Sequence, residues 1–175
     1  YQNFIRDNGW WLNDYALFMA LKTFFHDQPF RAWPEDIRMH WGFALEHYNR
    51  ELYFDIEFQK YMQFKFNQQW SRLKAYANGK HIQIVGDIPI YVSPDGADVW
   101  AHPELFQLDA HNAPTAIAGC PPDAFAKDGQ AWGNPLYNWN FHRATDYAWW
   151  VSRMWYSLSV FDGVRIDHFR GFESY

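Results

Sequence analysis

The chain has 175 residues, with 20 acidic and 15 basic side chains, so its formal net charge is −5. Because the two signs are interspersed, the sequence offers no basic stripe to nucleic acid or to an anionic membrane surface. Its most apolar stretch, residues 148–161, is interrupted by Arg153 and is too short to span a bilayer. The lone Cys120 excludes an internal disulfide and a cysteine-rich zinc site, which favours a reducing compartment such as the cytoplasm.

Helical patterns come first along the chain. Asn13 or Asp14 is expected to cap a helix over residues 15–25. Residues 41–77 contain no proline, and their apolar spacing predicts one long helix or two joined ones. We expect Asn78 and Gly79 to end this helical region, since glycine commonly follows a helix C-terminus.

The second half of the chain alternates strands, loops and helix. Residues 81–87 predict a buried parallel strand that ends in Asp87. Residues 94–140 are rich in proline and glycine, which exclude long regular elements, and such an excursion is usually functional or a small inserted subdomain. Residues 144–158 return to a helical pattern and residues 162–167 predict a second strand. This alternation is typical of consecutive β/α units.

The second strand presents charged groups at its carboxyl end. Arg165 and Asp167 point to the same strand face because side chains alternate along a strand. In a parallel α/β protein the chemistry gathers at the carboxyl ends of strands, so Asp167 sits where a nucleophile is expected. The alternative is a strand-end aspartate that caps the next helix or pairs with Arg165.

A parallel barrel would bring Asp87 and Asp167 to one face, within reach of a common sugar. A pair of carboxylates is the catalytic equipment that most enzymes acting on glycosidic bonds require. Arg165 could keep Asp167 ionised and oriented. His168 could bond a sugar hydroxyl, or it could be a structural histidine. The aromatic content of 22% also suits sugar stacking, although we expect most of these rings to be core or domain contacts.

The excursion carries a second polar cluster. Prolines stiffen its base while Gly129 and Gly133 leave its tip mobile, which is the construction of a lid. The side chains that it offers for hydrogen bonding and stacking are Asp123, Gln130, Trp132 and Asn134. An ordinary turn-rich loop is the alternative interpretation.

Metal binding is the competing use of the polar residues. Asp95 and Asp98 could contribute to a calcium site, but no EF-hand spacing or dense oxygen cluster accompanies them. His40 and His47 lack a further ligand at metal spacing and are interpreted as surface or packing residues. We therefore expect no metal and no other cofactor.

Several blocks, in order along the chain, carry a family resemblance. They are NGWWLNDYALF (8–18), GDIPIYVS (86–93), ADVW (97–100), PPD (121–123), GQAWGNPLY (129–137) and RIDHFRG (165–171). Any one of them would be a weak signal, but together they resemble the 4-alpha-glucanotransferases, also known as amylomaltases or disproportionating enzymes.

The resemblance implies an α/β fold, namely a partial (β/α)8 TIM barrel of the alpha-amylase type with a loop-rich insertion between the third and fourth barrel strands. Residues 1–175 would form a single incomplete segment of the catalytic barrel, and the remainder of the parent barrel would be its partner. The chain begins with Tyr1 rather than Met and stops soon after the Asp167 motif, which agrees with that expectation.

The resemblance also implies a retaining transfer of α-1,4-glucan segments between maltooligosaccharides or starch- or glycogen-type glucans. Asp167 resembles the nucleophile that forms a covalent glycosyl-enzyme, and Arg165 its positioning partner. Asp87 resembles the sugar-binding aspartate of the preceding strand, and His168 a donor-sugar contact. The residues that match the mobile loop covering the bound chain are Asp123, Phe125, Gln130, Trp132, Asn134 and Pro135.

The family's general acid/base glutamate and its second aspartate have no counterpart in this sequence. Glu173 lies too close behind Asp167 for the first role, so the chain alone should be inactive. Two alternatives remain open. They are an alpha-amylase-like hydrolase or branching enzyme that uses the same nucleophile, and a non-catalytic glucan-binding protein, which the aromatic richness would suit.

Overall fold

The computed structural model describes residues 1–122, 124 and 126–173 of the chain. The chain groups into two compact units. The first consists of Tyr1–Gln69, Asp95–Pro103 and Ala110–Ala113. The second consists of Trp70–Pro94, Glu104–Asp109 and Pro114–Tyr175. Among the described residues, no helix combines the length and the apolar character that crossing a membrane requires.

Helices dominate the first unit. They are α1 (Gln2–Phe24), α2 (Glu35–Arg38), α3 (Gly42–Glu51), α5 (Ala97–Ala101) and the part of α4 (Tyr53–Asn78) that precedes Trp70. The helical region predicted over residues 41–77 is two joined helices, because Leu52 leaves helical geometry with a φ of −100° and a ψ of 22°. As expected, α4 ends at Asn78, directly before Gly79.

The start of α1 differs from the predicted one. The sequence pattern placed a cap at Asn13 or Asp14, whereas α1 begins at Gln2. Residues 2–14 contain no proline, so the helix continues back through them. Asp14 lies inside the helix, with its carboxylate oxygens 3.9 Å from His40 Nε2 and 3.7 Å from His102 Nε2. The prediction was wrong because a residue able to cap a helix can also interact outward from the helix interior.

The core of the first unit is aromatic. Trp100 is fully buried and donates its indole N–H to Ile37 O at 2.8 Å. Its ring centroid lies 5.7 Å from that of Phe18 and 6.2 Å from that of Trp33. These rings serve packing, which accounts for part of the aromatic richness of the chain.

The second unit contains two parallel strands. β1 (Val85–Ile88) and β4 (Gly163–Ile166) pair so that Asp87 lies opposite Arg165. The helix α7 (Ala148–Val160) comes directly before β4. The predicted order of helix and strand is therefore confirmed, and the two strands are direct neighbours.

β1 is shorter and less buried than the sequence indicated. It begins at Val85, and upstream of it the N–H of Ile84 donates to the Asp162 side chain, at 2.8 Å from Oδ2, rather than to a backbone carbonyl. Gly86 and Ile88 are buried, whereas Val85 and Asp87 are exposed. The expectation of a buried strand thus holds for one face. The other face presents the Asp87 side chain.

Residues 94–140 contain short elements that the sequence did not predict. β2 (Ile117–Cys120) and β3 (Gln130–Pro135) pair antiparallel, and α6 (Trp139–Ala144) follows them. Gly129 precedes β3 with a φ of +72°, a conformation that glycine adopts at little cost. The β2–β3 pair gives the segment that carries Trp132 a defined backbone.

Candidate active site

Arg165 bridges two carboxylates in the second unit. Its Nη1 lies 3.4 Å from Asp87 Oδ2, and its Nη2 lies 3.2 Å from Asp167 Oδ1. The strand pairing causes this arrangement, because Asp87 lies opposite Arg165 and Asp167 directly follows β4. One guanidinium thus holds both strand-end acids in one place, as a planar fork with several donors can.

The bridge is open to solvent. The side chains of Arg165, Asp87 and Asp167 are 62%, 58% and 74% exposed. Ion pairs this exposed contribute little to stability, typically about 0–1 kcal/mol. A purely structural interpretation of the Arg165–Asp167 pair is therefore weak. The exposed carboxylates are accessible to a ligand.

The turn after β4 places His168 beside Trp132. His168 has left-handed backbone angles, with a φ of 50° and a ψ of 49°, and a 3-10 helix, Phe169–Phe172, follows it. Its ring centroid lies 4.8 Å from that of Trp132, with the two planes at 79°. The structure thus brings a predicted sugar contact, at the turn after β4, against the predicted covering segment.

The predicted residues of β3 divide into two groups. Trp132 is 37% exposed and donates its indole N–H to Gln130 Oε1 at 2.9 Å. Asn134 donates its side-chain amide to Val92 O at 2.7 Å, and Pro135 is fully buried. Gln130 and Trp132 therefore face outward, whereas the Asn134 amide and the Pro135 ring are engaged within the unit.

Two predicted contacts of the same segment, Asp123 and Phe125, lie outside the described residues.

Sequence reasoning missed two residues that hold the chain after β1. Arg153 donates Nη2 to Pro89 O at 2.6 Å, and the Tyr137 hydroxyl donates to Ile90 O at 2.8 Å. The signals were present in the sequence. Arg153 is a single cation in the apolar stretch 148–161, and Tyr137 ends the GQAWGNPLY block.

Asp162 lies at the opposite end of β4 from Asp167. Hydrogen bonds from the Ile84 N–H and the Asn78 amide, together with Lys74 at 3.2 Å, lower the pKa of the Asp162 carboxyl below its ordinary value. These partners hold the amino ends of β1 and β4 together. Asp162 is therefore a structural carboxylate, at the end of the strand where parallel α/β proteins place stability rather than chemistry.

The carboxylate of Asp95, considered above as a calcium ligand, is hydrogen-bonded within the first unit. Asp95 Oδ2 accepts a hydrogen bond from Lys22 Nζ at 2.8 Å, and its Oδ1 accepts one from the Phe30 N–H at 2.9 Å. His47 lies 2.9 Å from Glu51 on α3, and the His40 ring packs on Trp100 with centroids 4.4 Å apart. In the part of the chain that the structure describes, no three His, Cys, Asp or Glu residues are grouped as metal ligands would be.

Comparison with known proteins decides the family. A family model described as 4-alpha-glucanotransferase matches residues 1–175. The chain belongs to the 4-alpha-glucanotransferase family. The 4-alpha-glucanotransferase of Clostridium butyricum is 47% identical over 176 residues, covering 100% of this chain and 36% of that protein. The 4-alpha-glucanotransferase of Thermus thermophilus is 47% identical over 167 residues, covering 95% of this chain and 33% of that protein.

A solved 4-alpha-glucanotransferase relative supports the same assignment. An amylomaltase from Streptococcus agalactiae in complex with acarbose matches the structure with a TM-score of 0.93 and 44% sequence identity. The match covers 98% of this chain and 34% of that one. The chain thus spans about a third of the length of the 4-alpha-glucanotransferases that it matches. The expected fold class is confirmed as a partial segment of a TIM-barrel-type α/β fold.

Proposed function

We propose that this chain supplies the nucleophile side of a 4-alpha-glucanotransferase site, which transfers α-1,4-glucan segments with retention through a covalent glycosyl-aspartate. The observation that carries the proposal is the Asp87–Arg165–Asp167 bridge, in which two exposed carboxylates at the ends of adjacent parallel strands share one guanidinium. Family membership supplies the class of reaction.

In the first step, a carboxylate oxygen of Asp167 attacks the anomeric carbon of the donor sugar. A carbon–oxygen bond to Asp167 forms while the glycosidic bond breaks, and the departing sugar oxygen takes a proton from a general acid. We assign that proton donor to no residue of this chain. Arg165 orients the attacking carboxylate, and Asp87 accepts hydrogen bonds from hydroxyls of the same sugar.

In the second step, the hydroxyl of an acceptor glucan attacks the same carbon. The bond to Asp167 breaks, the carboxylate is regenerated, and the acceptor proton passes to the general base. Transfer prevails over hydrolysis if the acceptor chain is oriented and water is excluded. We assign that task to Trp132, whose ring lies against His168, together with Gln130. Asp123, Phe125, Asn134 and Pro135 join this covering segment by the family resemblance.

The proposed ligands are maltooligosaccharides and starch- or glycogen-type glucans. A glucan-type ligand is supported by the amylomaltase relative, whose structure was solved with acarbose. For the location we propose the cytoplasm, because a chain with the lone Cys120 needs no oxidising compartment for disulfide formation.

The test uses the full-length protein with maltotriose as the only substrate. We expect longer and shorter maltooligosaccharides with little new reducing power. Asp167→Asn should lower the rate by at least about a thousandfold, since it removes the nucleophile. Asp7→Asn is the matched control, because Asp7 is also an exposed carboxylate paired with an arginine, at 2.9 Å from Arg6.

The covalent step has its own readout. After rapid acid quenching and proteolysis, mass spectrometry should find a glycosyl group on the peptide that carries Asp167. New reducing ends that match the number of bonds cleaved would instead identify a hydrolase. Glucan binding without turnover would identify a binding protein.

A further inference from the structure

The segment directly after β1 is held by side chains. Residues 89–92 follow the strand that carries Asp87, and their backbone belongs to no strand. Pro89 O accepts from Arg153 Nη2 at 2.6 Å and Ile90 O accepts from the Tyr137 hydroxyl at 2.8 Å. The Asn134 amide reaches the same segment at Val92 O. Ile90 is buried, so its carbonyl needs a partner, whereas Pro89 is exposed. The path of the chain just beyond Asp87 therefore depends most on the Tyr137 hydroxyl, with the other two donors supporting it.

Tyr137 is the most constrained of the donors. Its side chain is 1% exposed, and its hydroxyl donates to Ile90 O while it accepts from Arg153 Nη1 at 3.3 Å. Its ring is stacked on that of Tyr91, with centroids 6.0 Å apart and planes at 21°. A buried phenol that both donates and accepts has a fixed direction, because any rotation breaks one bond.

Arg153 is fixed by packing on its other side. Its guanidinium lies over the rings of Trp149 and Trp150, at 5.1 Å and 5.0 Å from their centroids. Cation–π contacts of this kind hold a guanidinium plane in place. The donor to Pro89 O and to the Tyr137 hydroxyl is thus itself oriented by α7.

We propose that Tyr137 is a positioning residue for the transfer reaction, which couples the end of β1, with Asp87, to β3, with Trp132. Tyr137 lies two residues after β3 ends, and its hydroxyl bonds the carbonyl of Ile90, two residues after β1 ends. This inference rests on the proposed function. It gives the buried Tyr137 hydroxyl, beside the Asn134 amide, a part in placing the proposed sugar-binding acid Asp87 relative to the proposed covering ring of Trp132.

The variant Tyr137→Phe distinguishes a positioning role from ordinary core packing. Tyr137→Phe keeps the ring and its stacking on Tyr91 and removes only the hydroxyl. Both Ile90 O and Arg153 Nη1 then lose a partner, so the chain after Asp87 is less constrained, although Pro89 O and Val92 O keep their donors. Small displacements of positioned groups lower the rate of the chemical step, and about 1 Å can cost about a hundredfold.

The experiment compares Tyr137→Phe with Tyr15→Phe in the full-length protein. Tyr15 provides a matched control because its hydroxyl also accepts a side-chain hydrogen bond, from Gln63 Nε2 at 3.3 Å, in the first unit. For Tyr137→Phe we expect kcat for maltotriose disproportionation to fall about tenfold, KM to change less than about twofold, and the transfer-to-hydrolysis ratio to fall. Tyr15→Phe should leave all three unchanged.

A second measurement does not depend on turnover. Amide hydrogen exchange should become faster in residues 85–92 and in residues 130–136 of Tyr137→Phe, but in neither segment of Tyr15→Phe. Arg153→Lys should move kcat and exchange in the same direction, because a single ammonium cannot replace the two-nitrogen fork. It serves as the second variant if Tyr137→Phe does not fold.

A lower melting temperature with kcat unchanged would overturn the inference, since that is the result of a merely structural bond. Exchange that rises in only one of the two segments would overturn it as well. If the wild-type full-length protein shows no glucan transfer, the proposed function fails instead. The exchange data alone would then decide whether Tyr137 couples the two segments.

Discussion

Replacing Arg165 by lysine should reduce catalysis far more than stability. The guanidinium uses two different nitrogens for its two partners, with Nη1 3.4 Å from Asp87 Oδ2 and Nη2 3.2 Å from Asp167 Oδ1. Lysine keeps the positive charge but has a single nitrogen at the end of a flexible stem. It can follow one carboxylate or the other, and the geometry that joins both acids is lost.

The structure sets the expected magnitudes. All three side chains are more than half exposed, so each ion pair contributes at most about 1 kcal/mol, and Arg165→Lys should change the free energy of unfolding by less than about 1 kcal/mol. The catalytic effect has no such limit, because Asp167, the proposed nucleophile, would lose its near-attack geometry. We expect kcat/KM to fall about a hundredfold, which corresponds to about 2.7 kcal/mol of transition-state stabilisation.

The assay is maltotriose disproportionation by the full-length protein, together with thermal unfolding of the same preparations. Arg6→Lys is the matched control, because Arg6 pairs with the exposed Asp7 at 2.9 Å and touches no site residue in the described structure. A loss of activity below about threefold would refute the orienting role of Arg165. A loss of stability above about 2 kcal/mol would refute the inference that these pairs are energetically minor.

Further predictions concern stability. Asp162 has a lowered pKa, so its contribution is present above the pKa of the unfolded carboxyl and is lost as pH falls through the folded pKa. Asp162→Asn should therefore be less stable than wild type at pH 7, with the gap closing below about pH 4. Tyr91→Phe should lower the free energy of unfolding by no more than about 0.5 kcal/mol and can raise it, because the buried Tyr91 hydroxyl has no partner among the described residues. Trp100→Phe should lower it by about 2–4 kcal/mol, because the change shrinks a fully buried ring and removes the indole hydrogen bond to Ile37 O, which keeps only the one from the His40 N–H. Trp155→Phe, at 64% exposure, should change it by less than about 0.5 kcal/mol in chemical denaturation.

The parallel pairing of β1 and β4 was predictable because it follows from order along the chain. A strand, a connection with helix and a second strand favour neighbouring parallel strands, and side-chain alternation then fixes which residues share a face. Asp87 and Arg165 are opposite each other for that reason. Local patterns were enough here, since both the period of the strand and the handedness of the connection are general properties of the backbone.

The start of α1 and the β2–β3 pair were not predictable in the same way. Asn13 and Asp14 can cap a helix, but whether they do depends on whether the preceding residues have a better alternative, and here those residues continue the helix. The β2–β3 pairing joins residues across a connection rich in proline and glycine. Pro135 is the last residue of β3, which is an edge strand of a two-stranded sheet, and edge strands tolerate the missing N–H of proline.

The hydrogen bonds of the candidate site could not be predicted from the sequence, because a sequence motif identifies a residue but not the group to which it will bond. Asn134 and Trp132 stand two residues apart in one block and carry similar donor groups, yet the Asn134 amide binds Val92 O while the Trp132 indole N–H binds the neighbouring Gln130. The first bond ties β3 to the chain after β1, whereas the second leaves Trp132 37% exposed. A polar residue in the covering segment can therefore be available to a ligand or bonded within the protein. Which of the two applies depends on whether a carbonyl lies within hydrogen-bond distance in the folded chain.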